Sequence, residues 1–233
     1  MFSSRVIPSR LLATAFLIYS LPHRVDAQLA REQAIIRGID LAQARREANL
    51  HGYSVTEHYS VRNSRLNNAA EVVIEAVFSR NAGKTYKVVS ESGSSLLRTR
   101  VLDKLLKEEA DMSHGPAWRQ SRVISDNYDF KLIGDEVMGG RPCHVLELIP
   151  RAKNPHVLKG KVWVDAKDYL LVRIEGRTSS SPSFLAGRPL IVREYQQIEG
   201  FAFPQRSHAT ASGFLLGTTE LTIGYSDYKL TGA

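Results

Sequence analysis

YDFKLIGDEVMGGRPCHVLELIPRAKNPHVLKGKVWVDAKDYLLVRIEGR occupies Tyr128–Arg177. Four strand-like runs follow one another in it, separated by turn signals. Gly139-Gly140 divides Phe130–Met138 from Cys143–Ile149, and Asn154-Pro155 breaks the chain before Leu158–Val164. Ala166-Lys167, flanked by Asp165 and Asp168, precedes the run Tyr169–Ile174. Alternating or β-branched runs joined by short turns predict an antiparallel meander. Side chains alternate faces along a strand. One face therefore collects Leu146 and Leu148, Val162 and Val164, then Leu170, Val172 and Ile174. The other carries Glu147, Lys161, Asp165, Arg173 and Glu175, with Trp163 and Leu171 among them. A sheet with one strongly apolar face needs a cover.

Two candidate covers lie upstream. Leu29–Leu50 reads as a helix with Ala34, Ile35, Ile39 and Ala42 at helical spacing, and with Arg31, Arg37, Arg45, Arg46 and Glu47 on the remainder. Gly52 ends it. Ser94–Ala110 repeats Leu97, Val101 and Leu105 every four residues, a wide apolar helix face. Between the two helices lie three predicted strands. Tyr53–Arg62 places Tyr53, Val55, Tyr59 and Val61 on one face, with Glu57 as the exception. Ala70–Arg80 places Val72, Ile74, Ala76 and Phe78 together, and Lys84–Glu91 carries Tyr86 and Val88. Asp111–Gln120 and Thr178–Pro189 read as loops, the second with an apolar tip at Phe184-Leu185. Three further strands, Leu190–Gln197, Ala202–Ala211 and Thr218–Tyr228, finish the chain. The fold class is α+β: one large antiparallel sheet with two long helices on one side.

The N-terminus reads as a targeting segment. Arg5 and Arg10 form a basic region, Leu11–Tyr19 an apolar one too short to span a bilayer, and Val25-Asp26-Ala27 a cleavage pattern. Residues 1–27 are therefore expected to be a signal peptide, and 28–233 a single domain starting at Gln28. Export to the periplasm as a soluble monomer is the expected outcome. No cysteine follows the apolar run closely enough for lipidation. The sole cysteine, Cys143, excludes an internal disulfide. Removing residues 1–27 takes Arg5, Arg10, Arg24 and Asp26 away and lowers the net charge of +7 by two. The remaining charges are mixed rather than blocked, with neither zinc-finger spacing nor an aromatic-basic RNA motif, so no nucleic-acid partner is expected.

Catalytic patterns are missing. The sequence has no G-x-S-x-G elbow, P-loop, dinucleotide fingerprint or H-E-x-x-H. Cys143 and His144 are strand neighbours and point to opposite faces, so they cannot pair as nucleophile and base. The seven histidines show no metal-ligand spacing. Neither enzymatic activity, nor a metal, nor a cofactor is expected.

Gly140–Pro150 (GRPCHVLELIP), Gly160–Gly176 (GKVWVDAKDYLLVRIEG), Phe203-Pro204 and Leu221–Tyr228 (LTIGYSDY) together resemble the LolA-like superfamily. That group includes periplasmic lipoprotein carriers and RseB-type regulators of envelope stress. The resemblance covers Tyr128–Tyr228; residues 29–90 match in element order alone. It implies an incomplete antiparallel β-barrel, closed by α-helices around a hydrophobic cavity. It also implies a carrier that takes lipoprotein acyl chains or lipids from a membrane-protein donor to an acceptor and moves them toward the outer membrane. The alternative is an RseB-like sensor of envelope state. Such sensors carry a second C-terminal domain, and the end of this chain soon after its last strand favours the carrier. One departure stands out: the lipoprotein carrier has an R-P-x-x-F-R-W-like run where this chain reads SRNAGKTYKVV, with Arg80 and Tyr86 but neither Pro nor Trp. Strand and helix alternation supply the expected cavity lining. It comprises Tyr53, Val55, Ile74, Phe78 and Val88, the helix residues Leu97, Val101 and Leu105, then Leu146, Leu148, Val162, Val164, Val172 and Ile223. Ser94–Ala110, followed by His114-Gly115-Pro116, is expected to swing as a gate over that cavity.

Overall fold

A computed structural model describes residues 21–182, 187–213 and 217–231. The basic and apolar regions of the expected signal peptide, and the loop tip Phe184-Leu185, lie outside the described residues. Helix α1 spans Leu21–Asn49 and runs unbroken through the expected cleavage point after Ala27. Strands β1 (Gly52–Asn63), β2 (Asn68–Ser79) and β3 (Gly83–Gly93) follow. One continuous helical stretch comes next: α2 (Ser95–Leu97), a π-helical segment Arg98–Leu102, and α3 (Asp103–Asp111). Then comes α4 (Gly115–Ser121), where a loop is predicted. Seven residues are too few to show a period, but Pro116 at the helix start is a fitting initiator. Strands β4 (Tyr128–Met138), β5 (Arg141–Pro150), β6 (Leu158–Asp165), β7 (Leu171–Thr178), β8 (Leu190–Ile198), β9 (Phe201–Gly213) and β10 (Gly217–Thr231) complete the chain.

Among the described residues, ten strands form one antiparallel sheet in the order β3-β2-β1-β10-β9-β8-β7-β6-β5-β4. The first strand pairs with the last, and the sheet stays open between β3 and β4, the two strands that the helical stretch connects. A single row of register partners crosses the inner face. It runs Leu132, Leu146, Val162, Ile174, Arg193, Ser207, Ile223, Tyr59, Val72 and Glu91. The row is apolar on either side of a polar middle and ends in exposed Glu91 on the edge strand. The apolar parts are where helices lie. Ile35 and Ile39 of α1 pack on Leu132, Leu146, Leu148, Val162, Val164 and Ile174. Leu97, Val101, Leu102, Leu105 and Leu106 pack on Val55, Tyr59, Val61, Val72, Ile74 and Ile223. Between these two cores the helices leave part of β8 and β9 unfilled; α1 reaches β9 there with Arg46, and Ala209 and Ala211 join the α2–α3 core.

Helix α1 is fastened by polar contacts as well as by its apolar stripe. Glu32 Oε2 accepts from the Leu132 amide at 2.6 Å, and Asp40 accepts from the Ser125 amide and hydroxyl at 2.9 and 2.7 Å. The first of these engages an amide of the edge strand β4. Gly38 lets α1 approach closely: a Cβ there would sit 2.5 Å from the Tyr169 ring.

Two predicted inner residues move. Between Trp163 and Val164 the β6–β7 register slips, so β7 advances two residues for one of β6. Val172 is the extra residue of this bulge, and it joins Cys143, Val145 and Trp163 on the outer face while Leu171 turns inward. Val88 pairs with Ile74 on the edge strand β3, outside the packed cores, and is 44% exposed.

Candidate ligand-binding cavity

The unfilled middle of the sheet is the floor of a cavity of about 410 Å³. Its apolar wall comes from Tyr53, Phe78, Ile191, Leu221 and Ile223 on the sheet and from Leu105 and Met112 at the end of α3. Trp118 of α4 and the prolines 155, 182 and 189 border it. A second hollow of about 250 Å³ adjoins it and shares Tyr53, Phe78, Ser113 and Trp118 as walls. This smaller chamber is further lined by Leu50, Arg46, Arg80, Arg119 and Glu47. Tyr53, Phe203 and Tyr228 form an aromatic cluster with centroids 4.8–5.8 Å apart, and Tyr53 also stacks on Phe78. Four of the predicted lining residues, Tyr53, Phe78, Leu105 and Ile223, border the larger chamber. Val55, Ile74, Leu97 and Val101 are packed solid beside it. Leu146, Leu148, Val162 and Val164 are packed solid beneath α1. Val88 and Val172 lie away from it, for the reasons given above.

Polar groups on the floor were not expected. Glu57, the exception in its apolar stripe, is 3% exposed and points inward. Lys84 Nζ lies 2.7 Å from both Glu57 Oε2 and Glu109 Oε2, which ties α3 to the sheet. Tyr59 donates to Glu109 at 2.7 Å and also touches Glu57. Burial pushes Glu57 above the ordinary carboxylate range, against the pull of the Lys84 ammonium and the Tyr59 hydroxyl. Burial acts likewise on Glu109, but there the Lys84 ammonium outweighs it and holds the carboxyl low. Burial alone would depress Lys84, and its two carboxylates raise it instead. Arg193 donates to Ser207 Oγ at 2.9 Å beside them. Higher on the wall, Glu108 Oε2 and Thr178 Oγ1 have no hydrogen-bond partner among the described residues.

Arg46 was placed on the polar side of its helix and is found on the inner one. It continues the stripe Ile35, Ile39, Ala42 at the next four-residue step. Its guanidinium lies 4.5 Å from the Phe203 centroid and donates to the Ala202 carbonyl at 2.8 Å. Burial lowers its pKa. His144, apart from the cavity, pairs with Asp135 at 2.6 Å, while Cys143 is buried on the outer face. No cluster of three or more His, Cys, Asp or Glu able to hold a metal occurs among the described residues. None of the described helices is long and apolar enough to cross a membrane.

Sheet, covering helices and hollow together define an open antiparallel half-barrel with an internal cavity. Comparison with known proteins gives similar architectures. A family model described as an uncharacterized protein matches residues 119–224. No curated protein matches the chain. Among solved structures, a LolA superfamily protein from Nitrosomonas europaea is similar at 15% identity and a TM-score of 0.46, over 87% of this chain and 94% of that one. A domain from Vibrio parahaemolyticus, provisionally described as an outer membrane lipoprotein-sorting protein, is similar at 15% identity and 0.46, over 85% and 94%. A DUF1329 family protein from Desulfovibrio piger follows at 13% identity and 0.42, over 84% and 92%.

Proposed function

We propose that this chain is an exported, periplasmic carrier that binds a lipid or lipoprotein acyl chain in the larger chamber and moves it toward the outer membrane. The observation that carries this reading is the hollow, apolar-walled above a paired ionic floor, left between two separately packed cores. A volume of 410 Å³ is within the ordinary range for small-ligand sites, roughly 300–1,000 Å³. A methylene takes about the ~30 Å³ share of a water molecule. The chamber thus has room for on the order of a dozen methylenes, one chain rather than several. Each one buried contributes about 0.8 kcal/mol, so a single chain supplies ample driving force without any catalytic group. Release then requires a conformational step or a better acceptor.

Native mass spectrometry of the purified protein tests this directly. A co-purified lipid mass is expected for the native chain. Ile191→Trp, which adds bulk at a half-buried part of the chamber wall, is expected to lose that mass while the thermal midpoint stays within a few degrees. A native chain that copurifies with no lipid and takes up none from vesicles would overturn the carrier reading.

A further inference from the structure

The smaller chamber has a different chemistry from the larger. Arginines 46, 80 and 119 line it, against a single carboxylate, Glu47. Glu47 is already engaged: Arg122 Nη1 lies 2.5 Å from its Oε2. Arg80 donates to the Leu50 carbonyl at 2.9 Å and Arg46 to the Ala202 carbonyl at 2.8 Å. Each is thereby held in place by a neutral acceptor, and neither makes an ion pair among the described residues. Arg46 is the telling member. Its guanidinium is half-buried against the Phe203 ring, and it makes no ion pair among the described residues. A buried charge without a counter-ion is costly, and proteins ordinarily pair it. An arginine fork is suited to carboxylate or phosphate oxygens.

We propose that this chamber holds the anionic head, carboxylate or phosphate, of an amphiphile whose chain occupies the larger chamber. The proposal rests on the chain-binding reading above and narrows its ligand class to anionic, single-chain amphiphiles. The shared wall of Tyr53, Phe78 and Trp118 is where head and chain meet. The arginines then determine which amphiphile enters and in which direction it lies, while the apolar wall supplies the affinity.

Trp118 borders both chambers, so its fluorescence can follow binding of dodecanoate, methyl dodecanoate and inorganic phosphate at pH 7. Charge-assisted hydrogen bonds to the head predict a preference for the acid over the ester of about tenfold or more. That preference is expected to shrink in Arg46→Gln and in Arg80→Gln, and to return in part in Arg46→Lys. Arg80 is exposed, so its variant reports even if Arg46→Gln disturbs the fold. Equal binding of acid and ester by the native chain overturns the head-group assignment and leaves the cavity reading standing. An undiminished preference in both glutamine variants also overturns it. Binding of neither ligand overturns both readings. Inorganic phosphate that binds as tightly as dodecanoate shows a site for free anions and overturns the amphiphile.

Discussion

Lys84 is the residue whose removal has the clearest consequence. Its side chain is 12% exposed and faces the side chains of Glu57, 4% exposed, and Glu109, 24% exposed. Lys84→Met would leave two carboxylates buried together, a loss of about 3–5 kcal/mol for a broken buried pair. Urea unfolding at pH 7 measures it. The two glutamates should also separate by pH. Glu109 titrates in the fold below its unfolded value of about 4.3, so its contribution is present at neutral pH and is lost as pH falls through the folded value. Glu57 titrates above that value, so its contribution is complete in acid and is lost as pH rises through the raised one. Glu109→Gln is therefore expected to be destabilising at pH 7 and progressively less so as pH falls. Glu57→Gln should be near neutral or stabilising at pH 7. Urea midpoints across pH 3–7 would contradict this if both variants tracked the native chain. The cluster was partly legible. A glutamate inside an apolar strand stripe signals a buried partner, and an arginine at the next step of a helix stripe signals the same for Arg46. Neither partner could be named, because Lys84 and Phe203 reach these sites only through tertiary pairing.

At the scale of elements, the gate expected over Ser94–Ala110 divides in two. Its first part, through Leu102, is sealed into the core with Val101 and Leu102 buried. Only its end, from Leu105 through Met112, borders the cavity. Hydrogen exchange with and without bound lipid should therefore change over residues 103–113 and stay constant over 95–102. Equal, slow exchange of both parts in both states would make the helix ordinary core. Helix α1 offers a complementary test. Gly38→Val would drive a side chain into the Tyr169 ring and lift α1 from its sheet, at a cost of about 1–3 kcal/mol for overpacking. An unchanged thermal midpoint would show that α1 can shift freely. The strands and the two long helices were readable because alternation and four-residue repeats are local, whereas the seven residues of α4 show no period. The bulge at Val172 was not: one extra residue inverts a strand's faces and leaves no mark in composition.

At the scale of the whole molecule, ten strands and a covered face follow from the pattern, but the location of the hollow does not. It is set by strand order, since the polar partners Arg193 and Ser207 mark the seam only once β8 and β9 are known to lie between the two helix-covered halves. The apolar residues of the quoted meander, which looked the best candidates for a lining, are instead filled by α1. Their contribution to the site is to hold a rigid wall in place. Leu148→Asp, which introduces a charge into that packed half, is expected to unfold the chain rather than merely to weaken binding; circular dichroism would separate the two outcomes.

The junction of β1 with β10 has a consequence for how the chain comes to be folded. Asn63 meets Thr219 across 156 residues, whereas every other strand pair joins neighbours in sequence. Closing so long a loop carries an entropic penalty that local hairpins avoid. During synthesis, β1–β3 and the growing β4–β9 meander can therefore form as separate sheets, and the interior is complete only when the final strand docks between them. A circular permutant cut between α4 and β4, with the original ends joined, turns that distant junction into a much shorter one. It should refold faster than the native order and reach the same stability. The opening in the barrel would then lie at the new chain ends.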